Sequence, residues 1–304
     1  MRLVPLLLAV LLLTAGTAAL PAAAAPAPSC ATGDPALLTG QLRSGGLVRR
    51  YEVHLPARRD PARPLPVLLA FHGRGEPPAR LRGYTGFDAA DAVVLYPEGR
   101  PTAGPQPTLA WEGTRDHPVD GVDVAFVRDL LAEVGRRVCT DPRRTVATGS
   151  SQGGGFTHTL ACAAPGLLAA IAPVAGAFYR PEAGGVRECR SGPLRVVEIH
   201  GDADPVIAYT GTERSRPIPE WLAEWTARDG CGRPVDRPLP PDVTERRWAP
   251  CSRGGEVLHY LVRGGNHGWP GAPAPAVVGP GIRTTTISAT AVILTFTGIP
   301  RSPA

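Results

Sequence analysis

The chain has 304 residues, of which 43% are apolar, 19% charged and 6% aromatic, a balance that excludes disordered, collagen-like and coiled-coil proteins. Its 32 basic residues, all arginine, face 27 acidic ones and leave a net charge of +5. With no long basic run and no basic stripe interleaved with aromatics, nucleic acid is not an expected partner.

In chain order, Arg2, the apolar stretch Leu3 to Leu13 and the small-residue string Pro21 to Ala25 form a secretory signal pattern. We therefore expect a signal peptide over residues 1–25 and an extracellular mature chain over residues 26–304. The apolar stretch is too short to span a bilayer, and no later segment offers the roughly 18 uninterrupted apolar residues a membrane helix needs, so no membrane association is expected. The mature part is of a size for one hydrophobic core, and a monomer is expected. Arg49 to Pro56 alternates like a half-buried strand, and Leu65 to Phe71 is a continuous apolar run like a strand covered on both faces. Similar runs follow at Ala92 to Tyr96, Thr145 to Thr148, Leu194 to His200 and Val257 to Val262. Helical patterns lie between them at Val124 to Val138, Gly155 to Ala163 and Pro219 to Arg228, where Trp221 and Trp225 share one face. Strands alternating with helices predict the α/β class, a mostly parallel central sheet with helices on both faces. Arg233 to Pro241 (RPVDRPLPP) reads as a rigid surface excursion.

Gly149-Ser150-Ser151-Gln152-Gly153 matches G-x-S-x-G between the short strand TVAT and a helical pattern. With 36 glycines in the chain the match alone is weak, and the strand-to-helix context carries it. Such a turn lifts the central serine, Ser151, above the sheet edge, and its neighbour Ser150 does not share that place. Serine is a weak nucleophile and needs a base. Where the partners follow in the order serine, acid, histidine, only His200, His259 and His267 qualify among the seven histidines. His200 ends a strand and His259 lies within one. His267 sits in the loop Gly264 to Trp269 beyond the last strand, where ligands meet such sheets. The acid should follow the strand Leu194 to His200, where Asp202 and Asp204 are both candidates. An oxyanion would need backbone N–H donors, expected from the segment His72-Gly73-Arg74 after the buried strand, through Arg74, and from Gln152 after the nucleophile.

Together these segments resemble the secreted esterases that join polyhydroxybutyrate depolymerases with the feruloyl and acetylxylan esterases of carbohydrate esterase family one. The resemblance rests on YEVHLP, PVLLAFHGRG, VVLYPEG, the long segment from DVAFVRDLL to GSSQGGGFTHTLAC, IHGDADPVIAY, WTARDGC and GGNHGWPG, in the family's order. It implies the α/β-hydrolase fold, no cofactor and no metal, and a triad of Ser151, Asp204 and His267, choosing Asp204 as the acid before proline. Ser150, Gln152 and Asn266 depart from the commoner residues beside the nucleophile and the histidine. The implied activity is carboxylic-ester hydrolysis through an acyl-enzyme, on a small-molecule or polysaccharide-linked ester. An acyltransferase or a non-catalytic binding protein on the same scaffold are the alternatives.

Six cysteines in an oxidising compartment predict three disulfides, with no spacing suited to zinc. Cys139–Cys162 is expected at the sheet edge away from the serine, Cys231–Cys251 across the proline-rich excursion, and Cys30–Cys189 as the third pair. Trp111 and Trp269 fall in loops expected at the edge of the site, where flat rings would suit a cinnamoyl or sugar ring. Hydroxycinnamoyl or short-chain acyl esters are the expected substrates, with poor activity on crystalline polyhydroxybutyrate.

Overall fold

The computed structural model describes residues 38–60, 62–273 and 277–302. The signal pattern and Cys30 lie outside them. The apolar run Leu65–Phe71 forms a strand whose residues are all buried. Leu65, Val67, Leu69 and Phe71 join one core cluster, whereas Leu68 and Ala70 join the other. This is what a period of two imposes on a strand covered from both sides.

That strand is β3 of a ten-stranded sheet. The others are β1 (Leu38–Ser44), β2 (Leu47–His54), β4 (Val93–Pro97), β5 (Thr140–Ser150), β6 (Ala170–Val174), β7 (Arg195–Gly201), β8 (Val235–Leu239), β9 (Val243–Trp248) and β10 (Glu256–Val262). Their spatial order is β1-β2-β4-β3-β5-β6-β7-β10-β9-β8. The six from β4 to β10 run parallel, and the two strands at each edge are antiparallel additions.

Helices cover both faces. On one lie α2 (Val122–Arg137), which buries Phe126, Val127 and Leu130, α3 (Gln152–Ala163), which buries Phe156 and Leu160, and α4 (Ile218–Asp229), which buries Trp221 and Trp225. The other face holds α1 (Pro78–Thr85) through Leu81, and α5 (Ala289–Thr297) through Ile293 and Phe296. α5 begins at Ser288, whose hydroxyl accepts the Ala291 N–H at 3.3 Å, and α4 stops at Gly230, with φ of 68°.

Three expectations are corrected here. Arg233 to Pro241 is no mere excursion, because Val235–Leu239 pairs with β9 as an edge strand. Asp236 opposite Arg246 and Arg237 opposite Glu245 close ion pairs across the two strands, and Pro238 is tolerated because β8 is the edge of the sheet among the described residues. Cys139 and Cys162 are not joined: Cys162 bonds Cys189, with Cα atoms 4.4 Å apart. β5 is longer than expected, so it runs about 33 Å while the returning α3 covers only about 17 Å. Cys162 therefore ends far short of Cys139, which is itself disulfide-bonded. The same bond removes Cys189 from the expected pairing with Cys30. Cys231–Cys251 forms as expected, across 20 residues.

Candidate active site

The site is built where β5 turns into α3. Ser151 stands at that turn with φ of 55° and ψ of −120°, a conformation side-chain-bearing residues rarely adopt. The turn is held by Ser151 N–H to Val174 O at 2.9 Å, and by Ser151 O accepting from Gly155 and Ala177, both at 3.0 Å. The flanking glycines are needed for close approach. A Cβ on Gly149 would lie 2.5 Å from the Gly153 carbonyl carbon, and one on Gly153 would lie 2.2 Å from Phe71 O. β3, the turn and the first residues of α3 thus pack backbone to backbone.

Asp204 follows β7. Its Oδ1 accepts the N–H groups of Val206 and Ile207, both at 2.8 Å, which fixes the rotamer and aims Oδ2 at His267 Nδ1, 2.7 Å away. Burial opposes the charged form, but two imidazoles, His200 and His267, face this carboxyl and hold it well below the usual carboxylate range. Asp202 has another task. It accepts the Gly264 N–H at 2.6 Å and so ties the loop that carries the histidine. His267 lies in the short pair His267–Gly268 with Val277–Val278, and Asn266 braces the same loop through Nδ2, 3.4 Å from Gly279 O and from Gly281 O. Ser151 and His267 line one cleft of about 360 Å³, together with Arg74, Glu76, Arg80 and Tyr84.

The loop after β3 closes the cleft beside the serine, since a Cβ on Gly73 would lie 3.6 Å from Ser151 Cβ. The Gly73 N–H is taken by Glu76 Oε2 at 3.0 Å. Among the described residues neither the Arg74 nor the Gln152 N–H meets an acceptor, which leaves the two donors expected from the sequence free. Glu76 also accepts the Tyr84 hydroxyl at 3.2 Å, and burial pushes its carboxyl up against the pull of these donors and of Arg80. His72 braces the loop from below, with Nδ1 2.7 Å from Gly73 O and Nε2 accepting the Gly99 N–H at 2.9 Å. Burial lowers its pKa to about 4, so it is neutral.

Trp111 and Trp269 do not offer a face to the cleft. Trp111 is fully buried, stacks on Phe156 with centroids 5.0 Å apart, and donates its indole N–H to His72 O at 3.0 Å. Trp269 is buried against Phe87, its indole N–H on Thr290 Oγ1 at 3.1 Å. Both rings are large enough to complete the two cores, and that packing wins over display. Sequence reasoning also missed Glu76 and Tyr84. No motif marks them, and they reach the cleft only because α1 packs over the end of β3.

A parallel sheet in this order, a strained serine turn at its centre and an Asp–His pair from the next loops define a hydrolase of the α/β-hydrolase fold. The chain is 30% identical over 282 residues to "Putative esterase NocK" of Nocardia uniformis subsp. tsuyamanensis, covering 81% of this chain and 79% of that protein. It is 29% identical over 272 residues to feruloyl esterase D of Neurospora crassa, covering 82% and 85%. Among solved structures, an acetyl xylan esterase from Aspergillus awamori superposes with a TM-score of 0.54 at 15% identity, covering 82% of this chain and 94% of that one. No family model matches the chain. The chain belongs to the esterase family of these relatives, among them feruloyl esterases, and it is a serine carboxylic-ester hydrolase.

Proposed function

We propose that Ser151 is the nucleophile, His267 its general base and Asp204 the residue that orients His267, with the N–H groups of Arg74 and Gln152 as the oxyanion hole. The observation that carries this reading is the 2.7 Å contact between His267 Nδ1 and Asp204 Oδ2 behind a cleft that also holds the strained Ser151. With Nδ1–H tied to the carboxylate, Nε2 is the basic nitrogen presented to the cleft. It takes the Ser151 proton as Oγ attacks the ester carbonyl, and the resulting oxyanion is held by donors already in place, which avoids reorganisation in the transition state. Protonated His267 then hands its proton to the leaving alcohol, and water attacks the acyl-enzyme by the same route in reverse.

For the substrate, we infer a hydroxycinnamoyl or short-chain acyl ester, free or linked to a polysaccharide. The support is the cleft's size, within the range of small-molecule sites, its polar groups Glu76, Arg80 and Tyr84, and the feruloyl esterases among the relatives. Residues 26–304 are read as one exported domain, a reading supported by the signal pattern over residues 1–25 and by the disulfides Cys162–Cys189 and Cys231–Cys251. Ser151→Ala should abolish hydrolysis of methyl ferulate and p-nitrophenyl acetate while Ser150→Ala keeps most of it. A dead Ser150→Ala with an active Ser151→Ala would shift the nucleophile by one residue and end this assignment.

A further inference from the structure

Behind Asp204 lies a chain of buried titratable groups that the acyl-transfer steps do not use. Glu198 on β7 is fully buried. Its Oε1 is 2.9 Å from His200 Nδ1 and its Oε2 is 2.7 Å from Nδ1 of His259, its direct neighbour across the β7–β10 pair. His200, also fully buried, turns its other nitrogen toward Ile207 O at 2.9 Å and Asp204 Oδ2 at 3.4 Å. Nε2 of His200 thus meets only acceptors, and a neutral imidazole with its proton there would turn a bare Nδ1 toward the Glu198 carboxylate. His259 is under no such constraint, because its Nε2 lies 3.1 Å from the Tyr209 hydroxyl, which can give or take a proton.

We propose that His200 is a permanently protonated imidazolium, anchored by Glu198, and acts as a positioning residue that holds Asp204 ionised and oriented toward His267. Resting on the triad reading above, this gives Glu198 and His200 a role through Asp204 and not on substrate. The direction of the shifts agrees. Burial disfavours the cation, yet Glu198 and Asp204 outweigh it and raise the His200 pKa to about 10, while Glu198, opposed by burial, is lowered by its two imidazoles. The other ionisable groups around the network are Tyr209, packed edge-on to His200, and Asp202 in the same turn, and beyond His259 the Arg246–Asp236 pair of the two edge strands. A cation on the far side of Asp204 offsets part of its charge and places Oδ2 between the two imidazoles.

The test has two arms. In the full chain labelled with ¹⁵N-histidine, the His200 signals, identified by their loss in His200→Asn, should show both nitrogens protonated at a pH of about 8, two units below its raised pKa. One protonated and one bare nitrogen there would overturn the proposal whatever the pH profiles of the variants, and His200→Gln supplies the same identification should His200→Asn not fold. In the second arm, kcat/KM is followed against pH for wild type, Glu198→Gln and His200→Asn. Both variants should move the acid limb up by about one unit, since His200→Asn removes the cation that faces Asp204 and Glu198→Gln removes the anion that keeps His200 protonated. Folded variants with an unmoved limb would leave the network a structural role only. Failure of the triad reading would show separately, as activity surviving in Ser151→Ala with the His200 spectrum unchanged.

Discussion

Adding one methyl group at Gly153 should disable the enzyme by moving the N–H donor we propose for the oxyanion. The Cβ of Gly153→Ala would lie 2.2 Å from Phe71 O and 2.5 Å from His72 O, about 1 Å inside ordinary contact. Both obstacles are backbone atoms of β3 and of the loop that carries Arg74, so no side chain can swing aside. Relief must come from separating the start of α3 from that loop by about 1 Å. The N–H groups of Gln152 and Arg74 sit on the two sides of that gap, and separations of this size cost roughly 10²-fold in rate. Stability should fall by about 1–3 kcal/mol, the usual cost of overpacking. The assay is kcat on p-nitrophenyl acetate beside the thermal midpoint, with Gly83→Ala as control. Gly83 lies in α1 with nothing within 4 Å of its Cβ position, and there alanine should stabilise slightly with no change in kcat. A folded Gly153→Ala with kcat within about threefold of wild type would refute the claim that backbone contact sets the donor geometry.

Asp204→Asn should lower kcat on the order of 10⁴-fold by spoiling the His267 tautomer, whereas Asp202→Asn, able still to accept the Gly264 N–H, should change it little; equal losses would show that the two were misassigned. Glu112, buried beside Asp120 and Asp123, has its pKa raised to about 8, by burial first and by these carboxylates next. The native state therefore binds this proton more tightly than the unfolded chain does, and stability should fall as pH climbs from the ordinary carboxyl range toward 8, by at most about 1.4 kcal/mol per unit. Glu112→Gln should flatten that slope in thermal scans, and an unchanged slope would assign it to other groups. Cys162–Cys189 closes 27 residues, so Cys189→Ser should cost about 3.5 kcal/mol by the chain-entropy model. Peptide mapping of the unreduced chain that joined Cys139 to Cys162 would contradict the fold described above.

The central strands could be read from the sequence because each is covered on both faces and so is apolar at every position, as in LPVLLAF, where no tertiary detail is needed to see burial. The serine turn was equally local. Its glycines are required by the turn itself, and the order Ser151, Asp204, His267 follows the order of the strands that deliver them. Polar edge strands such as VDRPL escaped, since one of their sides meets water and their ion pairs form only with a neighbour. Which aspartate faces His267 was settled by resemblance and not by spacing, and only the fold shows Asp202 spent on the Gly264 loop. Tertiary structure alone decided the burial of Trp111 and Trp269, the partner of Cys162, and the network of Glu198, His200 and His259. The reason in each case is geometric. A strand advances about twice as far per residue as a helix, and the register between β7 and β10, distant in sequence, sets which side chains meet. Neither quantity is written in a local pattern of residues.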